Sequence, residues 1–328
     1  MHYSELHPSL PQWMRDVNSL LLSFVAGESA TLQQAGKMII GTRGKRLRPV
    51  MLVLSCASFG GVTRRAHTFG ALVEMIHTAS LAHDDVVDEA DSRRGAPSAP
   101  AFWGNKLSVL VGDYLLARVF ETASHESEPH LLHLLSAAAT NMGRAVVLEC
   151  AEMGIDASED LYFSVISGKT ASLFAAATAI GAHIGGATLE QEQAMFRLGH
   201  AFGQAFQLAD DLMDLQGKES DIGKPLGADW AQRRATLPLL HALRTAPADT
   251  VREIRDLWHQ EPFTPEHLRA MMYLVEAAGG LSYGWQTVKA FREEACACLD
   301  GLPAGPGRDA LWHLCTDQFP LPILPAAV

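Results

Sequence analysis

Two aspartate pentads, Asp84-Asp85-Val86-Val87-Asp88 and Asp210-Asp211-Leu212-Met213-Asp214, each close a long stretch of mostly apolar residues, Ala71 to His83 in the first case and Leu198 to Ala209 in the second. In a helix, positions i and i+4 share a face. Asp84 is therefore expected to project with Asp88, and Asp210 with Asp214. Carboxylates at a helix C-terminal end oppose the macrodipole, and four of them in one place repel unless a cation lies between them. Hard divalent cations that take oxygen ligands suit such a set, above all magnesium carrying phosphates. One acidic pentad alone is usually a solvated helix face; the same unfavourable arrangement made twice points to function. The pentads stand 126 positions apart (Asp84 to Asp210). They can meet only through the fold, which predicts one all-α domain, a helical bundle around a central cavity.

The rest of the chain agrees with a helical fold. Apolar residues recur at helical spacing, and period-two alternation is scarce. Helices are expected over 10–26, 30–40, 46–59, 64–90, 106–124, 129–153, 158–184, 188–216, 229–245, 248–258, 264–277, 281–300 and 306–318, with breaks at Gly60-Gly61, Gly95-Ala96-Pro97, Gly185-Gly186, Gly223-Lys224-Pro225 and Gly279-Gly280. Pro129 and Pro265 read as first-turn prolines. No linker divides the 328 residues, so one domain is expected over 1–328, with an irregular tail at 319–328. Thr170 to Leu189 carries no charged side chain and is long enough to span a bilayer. Its Ala, Gly and His183 read instead as a buried core helix. The N-terminus lacks the basic region and apolar run of a signal peptide. Five scattered cysteines suit reduced thiols, so a cytoplasmic protein without a membrane span is expected.

The formal charge of −11 disfavours binding to nucleic acid. Basic residues nevertheless cluster. Gly44-Lys45-Arg46-Leu47-Arg48-Pro49 sets three cations in a short turn, suited to a diphosphate. A solvated charged loop is its ordinary alternative. Arg93 and Arg94 follow the first pentad closely. They could bind a diphosphate beside the carboxylates or pair with Glu89 and Asp91, and spacing does not choose between these. Gly168-Lys169-Thr170 lacks the earlier glycine and the preceding strand of a nucleotide loop, although Lys169 could reach a phosphate from a helix. Glu74-Met75-Ile76-His77 has the spacing of a di-iron motif without the second copy such sites need. His77 lies two turns before Asp84, and Gln207 three residues before Asp210, so both are candidates for polar contact with substrate.

In order and spacing these motifs resemble the trans-isoprenyl diphosphate synthases, the polyprenyl synthetase family. The resemblance runs from about Lys37 to Leu240. It rests on the turn at 44–49, the run from Glu74 to Asp88, Arg93-Arg94-Gly95, Gly112-Asp113-Tyr114-Leu115, Gly168-Lys169-Thr170-Ala171, the run from Phe206 to Asp214, Gly223-Lys224-Pro225 and Thr236-Leu237-Pro238. It implies the isoprenoid-synthase fold and, usually, a homodimer. It also implies magnesium, three ions to a site, held by Asp84, Asp88 and Asp210 with support from Asp85, Asp211 and Asp214. Lys45, Arg48, His77 and Arg94 look like the site for isopentenyl diphosphate; Arg93, Lys169, Thr170, Gln207 and Lys224 look like the site for the allylic prenyl diphosphate. Three features depart from the family pattern. Arg233-Arg234 stands where Gly-Lys is usual, with Arg234 keeping the charge. Glu152 replaces an amide in the run Leu148-Glu149-Cys150-Ala151-Glu152. The basic C-terminal end is missing.

The implied reaction is chain elongation: an allylic diphosphate ionises, the double bond of isopentenyl diphosphate attacks the cation, and proton loss gives an allylic diphosphate one unit longer. A terpene cyclase would need only one diphosphate site, a non-catalytic subunit should have lost a pentad, and a structural helical protein would leave the carboxylates and cations unexplained. Ala79 and Ser80, one turn before Asp84, are small where a bulky aromatic would stop growth early. The tail can pass to further turns, about 5.4 Å each, near Ile76, Met75 and Leu72. A product of about six or more isoprene units is expected, delivered in the end to a membrane; a short-chain (farnesyl or geranylgeranyl) synthase is the alternative.

Overall fold

The computed structural model describes residues 3–41, 44–93, 96–216 and 226–317. Among the described residues the regular structure is helical apart from one two-residue antiparallel ladder, β1 (Ser92–Arg93) with β2 (Ala96–Pro97). The helices are α1 (Tyr3–Leu6), α2 (Leu10–Ser23), α3 (Ala30–Ile40), α4 (Leu47–Phe59), α5 (Arg64–Val87), α6 (Ala99–Trp103), α7 (Asn105–Ser124), α8 (Pro129–Glu152), α9 (Glu159–Ile166), α10 (Ser172–Gly185), α11 (Leu189–Gln216), α12 (Ala228–Ala231), α13 (Leu237–Thr245), α14 (Ala248–Trp258), α15 (Pro265–Ala277), α16 (Gly280–Ala297) and α17 (Pro306–Asp317). A π-helical turn, Ser167–Ala171, joins α9 to α10.

The chain forms two compact units. The first comprises Met1–Thr140, Leu173–Gly199 and Cys298–Leu314. Its central element is α5, which packs against α2, α4 and α7. Residues on every side of α5 are buried, from Phe69 through Leu72, Val73, Met75 and Ile76 to Ala79 and Ala82. This is why its apolar positions fill whole turns rather than one stripe. Burial of each large side chain contributes about 1.5–3 kcal/mol. Within the same unit α10 lies backbone-close to α4. A Cβ on Gly181 would stand 2.1 Å from the Leu52 carbonyl oxygen, and one on Gly185 would stand 2.6 Å from that of Cys56. Leu173 to Ile180 is fully buried. The charge-free segment is thus a core helix, and its Ala and Gly content reflects close helix approach.

The second unit comprises Asn141–Ser172, His200–Ala297 and Cys315–Val328. Here α16 packs against α13 and α15, and Leu212 of α11 occupies the space that a Cβ on Gly284 would need.

Most expected helices form within a few residues of their expected ends. Four regions differ. The helix expected over 158–184 is interrupted by the π-helical turn, and the one expected over 229–245 is split. There Arg233 adopts a left-handed conformation (φ 62°) and Pro238 opens a new helix in its first turn. The short helices α1 and α6 and the ladder were not expected. The tail at 319–328 lies outside the described residues.

Candidate active site

The first acidic pentad completes α5. The Asp88 N–H donates to the Asp84 carbonyl oxygen at 2.8 Å, closing the last turn. Asp84 and Asp88 are half-buried, whereas Asp85 is only 4% exposed. One residue earlier, His83 Nε2 lies 3.2 Å from the Val109 carbonyl oxygen and 3.4 Å from Asp113 Oδ1 on α7. Gly112 makes this approach possible, since a Cβ there would stand 2.3 Å from the His83 ring. The Gly112-Asp113 motif therefore seats the histidine beside the pentad. Further back on α5, Ser80 Oγ donates to the His77 carbonyl oxygen at 2.8 Å. Ala79, Ile76 and Met75 are buried.

The cationic turn before α4 divides its three charges. Arg46 takes a left-handed conformation (φ 47°), forms a 2.7 Å ion pair with buried Glu74, and donates to the Ile40 carbonyl oxygen. Its guanidinium is thus held by this unit's own side chains, and the Glu74-x-x-His77 spacing is accounted for by that pair rather than by a di-iron motif. Lys45 is exposed, and its carbonyl oxygen accepts from the Tyr3 hydroxyl at 2.9 Å. The Arg48 guanidinium sits 4.5 Å above the Phe174 ring, which orients it through a cation–π contact. Arg93 lies in β1, with its side chain outside the description; Arg94 and Lys224 lie outside the described residues altogether.

In the second unit the carboxylates of the other pentad separate. Asp210 is exposed, whereas Asp211 is 6% and Asp214 1% exposed. Asp210 and Asp214 stand four positions apart on one helix, yet only Asp210 is exposed. The helix is regular, but the chain after α11 covers Asp214. Its Oδ2 accepts the Asp229 N–H at 3.3 Å, and its carbonyl oxygen accepts the Gly227 N–H at 2.8 Å. Asp211 accepts from the Tyr162 hydroxyl at 2.6 Å and from Gln207 Nε2 at 2.9 Å, while Gln207 Oε1 accepts from Thr170 Oγ1 at 2.7 Å. Burial, then the nearby charge of Asp229, pushes the Asp211 carboxyl up to about 8, against the pull of the two hydrogen bonds. Each pentad thus buries its second aspartate and leaves its first more open. Thr170 and Gln207, expected at the allylic substrate site, also belong to the network that holds Asp211.

Lys169 projects from the π-helical turn and pairs with Glu149 of α8 at 2.5 Å. That turn lies close to α8, since a Cβ on Gly168 would stand 2.7 Å from Ala145 Cβ and 2.8 Å from the Asn141 carbonyl oxygen. π-Helical turns are rare and concentrate at functional sites. Of the two successive arginines, Arg234 donates to Asp229 Oδ1 at 2.9 Å and so stays with the acidic cluster. Arg233 turns away, over the rings of Trp258 and Phe263, and donates to the Gln260 carbonyl oxygen at 2.8 Å. Tyr162 and Asp229 were not foreseen. Neither belongs to an acidic or basic run, and only their contacts with Asp211, Asp214 and Arg234 reveal them. Each pentad offers donors that suit a hard cation: Asp84 and Asp88 in the first unit, and Asp210 in the second, present carboxylates with some access to solvent, and neither pentad contains sulfur or imidazole.

Residues 29–275 match the profile of the Polyprenyl synthetase family. The chain is 35% identical to the octaprenyl diphosphate synthase of Escherichia coli (strain K12) over 313 residues, 95% of this chain and 96% of that protein. It is 37% identical to the nonaprenyl diphosphate synthase of Mycobacterium tuberculosis (strain ATCC 25618 / H37Rv) over 271 residues, 82% of this chain and 80% of that protein. Its fold matches the crystal structure of a polyprenyl synthase from Caulobacter crescentus CB15 complexed with calcium and isoprenyl diphosphate. The TM-score is 0.89 at 33% identity, with 96% of each chain covered. A decaprenyl diphosphate synthase from Rhodobacter capsulatus gives a TM-score of 0.88 at 36% identity, covering 96% of this chain and 97% of that one.

Proposed function

Since the chain belongs to the polyprenyl synthetase family and is a prenyltransferase, we propose that it is a single-domain synthase that condenses isopentenyl diphosphate with an allylic prenyl diphosphate and releases a trans-polyprenyl diphosphate of about six or more isoprene units, a length at which the tail runs several helical turns of about 5.4 Å each. The observation that carries this reading is the pattern shared by the two pentads. In each, the first aspartate stays accessible while the second is buried, and in the second pentad the buried one is held by Tyr162 and Gln207. Fixed carboxylates of this kind preorganise a site for charge that develops in the transition state.

Asp84, Asp88 and Asp210 would hold magnesium. When bound, it neutralises the diphosphate and stabilises it as a leaving group. Asp85, Asp211 and Asp214 act as supports. Asp211 is anchored by Tyr162 and Gln207, and Asp214 by the Asp229 N–H, so the end of α11 cannot swing as charge builds up. Lys45 and Arg48 hold the diphosphate of isopentenyl diphosphate, with His77 and Arg94 in support. Arg48 is already oriented by Phe174, which lowers the entropy lost on binding. Lys169, Thr170, Gln207, Arg93, Lys224 and Arg234 serve the allylic diphosphate. Lys169 would exchange Glu149 for a phosphate oxygen, and Arg234 would do the same with Asp229. The proton lost after condensation goes to the departing diphosphate, because that anion is the base nearest the new double bond in such a reaction.

Ala79 and Ser80 leave room for the growing tail beside α5, with Ile76 and Met75 next along it. The medium- and long-chain products in the names of the relatives agree with this length. A homodimer working in the cytoplasm and delivering its product to a membrane completes the proposal. Incubation of the purified protein with magnesium, isopentenyl diphosphate and a series of allylic primers, followed by sizing of the products, tests it. Products of about six or more units are expected, long enough to pass several turns of α5. Termination at three or four units would reject the length, and absence of condensation with every primer would reject the reaction.

A further inference from the structure

A second group of metal-ligating side chains lies in the first unit, remote from the pentad on α5. His130 is on α8, His183 on α10 and Glu192 on α11. One ligand atom from each lies within 4.8 Å of the others. The Glu192 carboxylate is central: Oε1 is 2.5 Å from His130 Nε2, and Oε2 is 2.8 Å from His183 Nδ1. The other nitrogen of His183, Nε2, is 2.6 Å from Glu128 Oε2, and Glu128 is itself held by Arg65 Nη1 at 2.8 Å. Arg65 also binds Glu126 at 2.7 Å. Arg65 is in the first turn of α5, and Asp84 is 19 residues further along the same helix. At 1.5 Å per residue the two ends are about 29 Å apart, so the pentad's own cation does not serve this group.

We propose that His130 Nε2, His183 Nδ1 and the Glu192 carboxylate form a site for a borderline divalent transition metal, zinc in the first place. Three observations carry it. The donor set, two imidazoles and one carboxylate, is one that zinc takes with the fourth position left to water, and hard magnesium does not favour imidazole. Glu192 is only 9% exposed, whereas His130 is 43% exposed on the solvent side, where a water ligand would sit. His183 has the arrangement that metal-bound histidines show repeatedly: one nitrogen faces the ligand cluster, and the other donates to a carboxylate that fixes the ring and its tautomer. Ligand atoms about 2.0–2.2 Å from zinc stand roughly 3.3 Å apart in a tetrahedron, so the two short contacts need open by less than about 1 Å for the ion to enter. The bound ion would tie together the start of α8, the end of α10 and the start of α11.

The test uses untagged, chelator-treated full-length protein, both as the native sequence and as the Asp84→Ala/Asp210→Ala variant, in which the pentads cannot compete. Cobalt(II) is titrated as a spectroscopic probe and then displaced by zinc. One equivalent should bind to both proteins with the visible absorption of a low-coordinate, imidazole-ligated ion. Zinc should also raise the Tm of the Asp84→Ala/Asp210→Ala variant. His183→Ala and Glu192→Gln should abolish the signal, and Glu128→Gln should weaken binding about 10–100-fold. His130→Gln keeps an amide that can still donate to Glu192 but is a poor metal ligand; it should remove the absorption and the zinc-induced rise in Tm. The site is refuted if neither protein binds an equivalent at micromolar metal, or if the absorption survives in His130→Gln.

Discussion

Arg46 and Arg48 stand two positions apart and do different work. Arg46 is paired with Glu74, whereas Arg48 lies against Phe174 and is the one proposed to hold the second substrate. Arg48→Ala should raise the KM for isopentenyl diphosphate roughly ten- to hundredfold, in line with about 1.5–3 kcal/mol for a charge-assisted phosphate contact, and leave that for the allylic primer nearly unchanged. Steady-state kinetics with each substrate varied in turn measures this, and an equal rise for both would reject separate sites. Tyr162 supplies one of the two donors that hold buried Asp211. Tyr162→Phe keeps the ring and removes the hydroxyl, leaving a carboxylate oxygen without that donor. The expected loss is about 1–3 kcal/mol of stability, read as a lower urea midpoint. An unchanged midpoint would show that Asp211 is satisfied without it.

At the scale of elements, the proposed function gives α5 two roles along its length. Its C-terminal end presents Asp84 and Asp88, and the turns before them present small residues where a tail would pass. Ala79 is fully buried, so a larger side chain there has to take space from whatever lies beside the helix. Ala79→Phe should shorten the product sharply while the first condensation continues. Product sizing by chromatography checks it, and an unchanged length would place the tail elsewhere. The π-helical turn is the other element with a specific task. It inserts one extra residue per turn at Ser167–Ala171, so Lys169 pairs with Glu149 of α8 while its neighbour Thr170 bonds to Gln207 of α11. A continuous α-helix over this stretch, as periodicity predicts, would rotate one of these partners out of reach. Periodicity could not reveal the bulge because its apolar positions remain consistent with a helix on both sides.

For the molecule as a whole, the two pentads belong to different compact units, and the proposed chemistry needs both. Asp84→Ala and Asp210→Ala should each nearly abolish turnover while far-ultraviolet circular dichroism stays that of the native protein. Each removes one open carboxylate from the set proposed to hold magnesium, at the step where leaving-group charge develops. Substantial turnover by either variant would mean that its pentad is dispensable to the reaction.

Part of this was legible from local chemistry. The all-helical class follows from apolar spacing, and the candidate site motifs are short runs whose residues are neighbours in the chain: Lys45 to Arg48, Asp84 to Asp88, Asp210 to Asp214. Hidden from such reading was which member of each run faces solvent and which is fixed from behind. Asp210 and Asp214 are equivalent by helical spacing, yet the segment around Gly227 and Asp229 covers one of them. Arg46 and Arg48 are alike in charge, yet Glu74, 28 positions from Arg46, claims the first. Tyr162 reaches Asp211 across 49 positions, and His130 meets Glu192 across 62. Helical periodicity reports a residue's position around its own axis, which is a local property; burial and partnership depend on what other segments pack against that position, and no short window of sequence contains them.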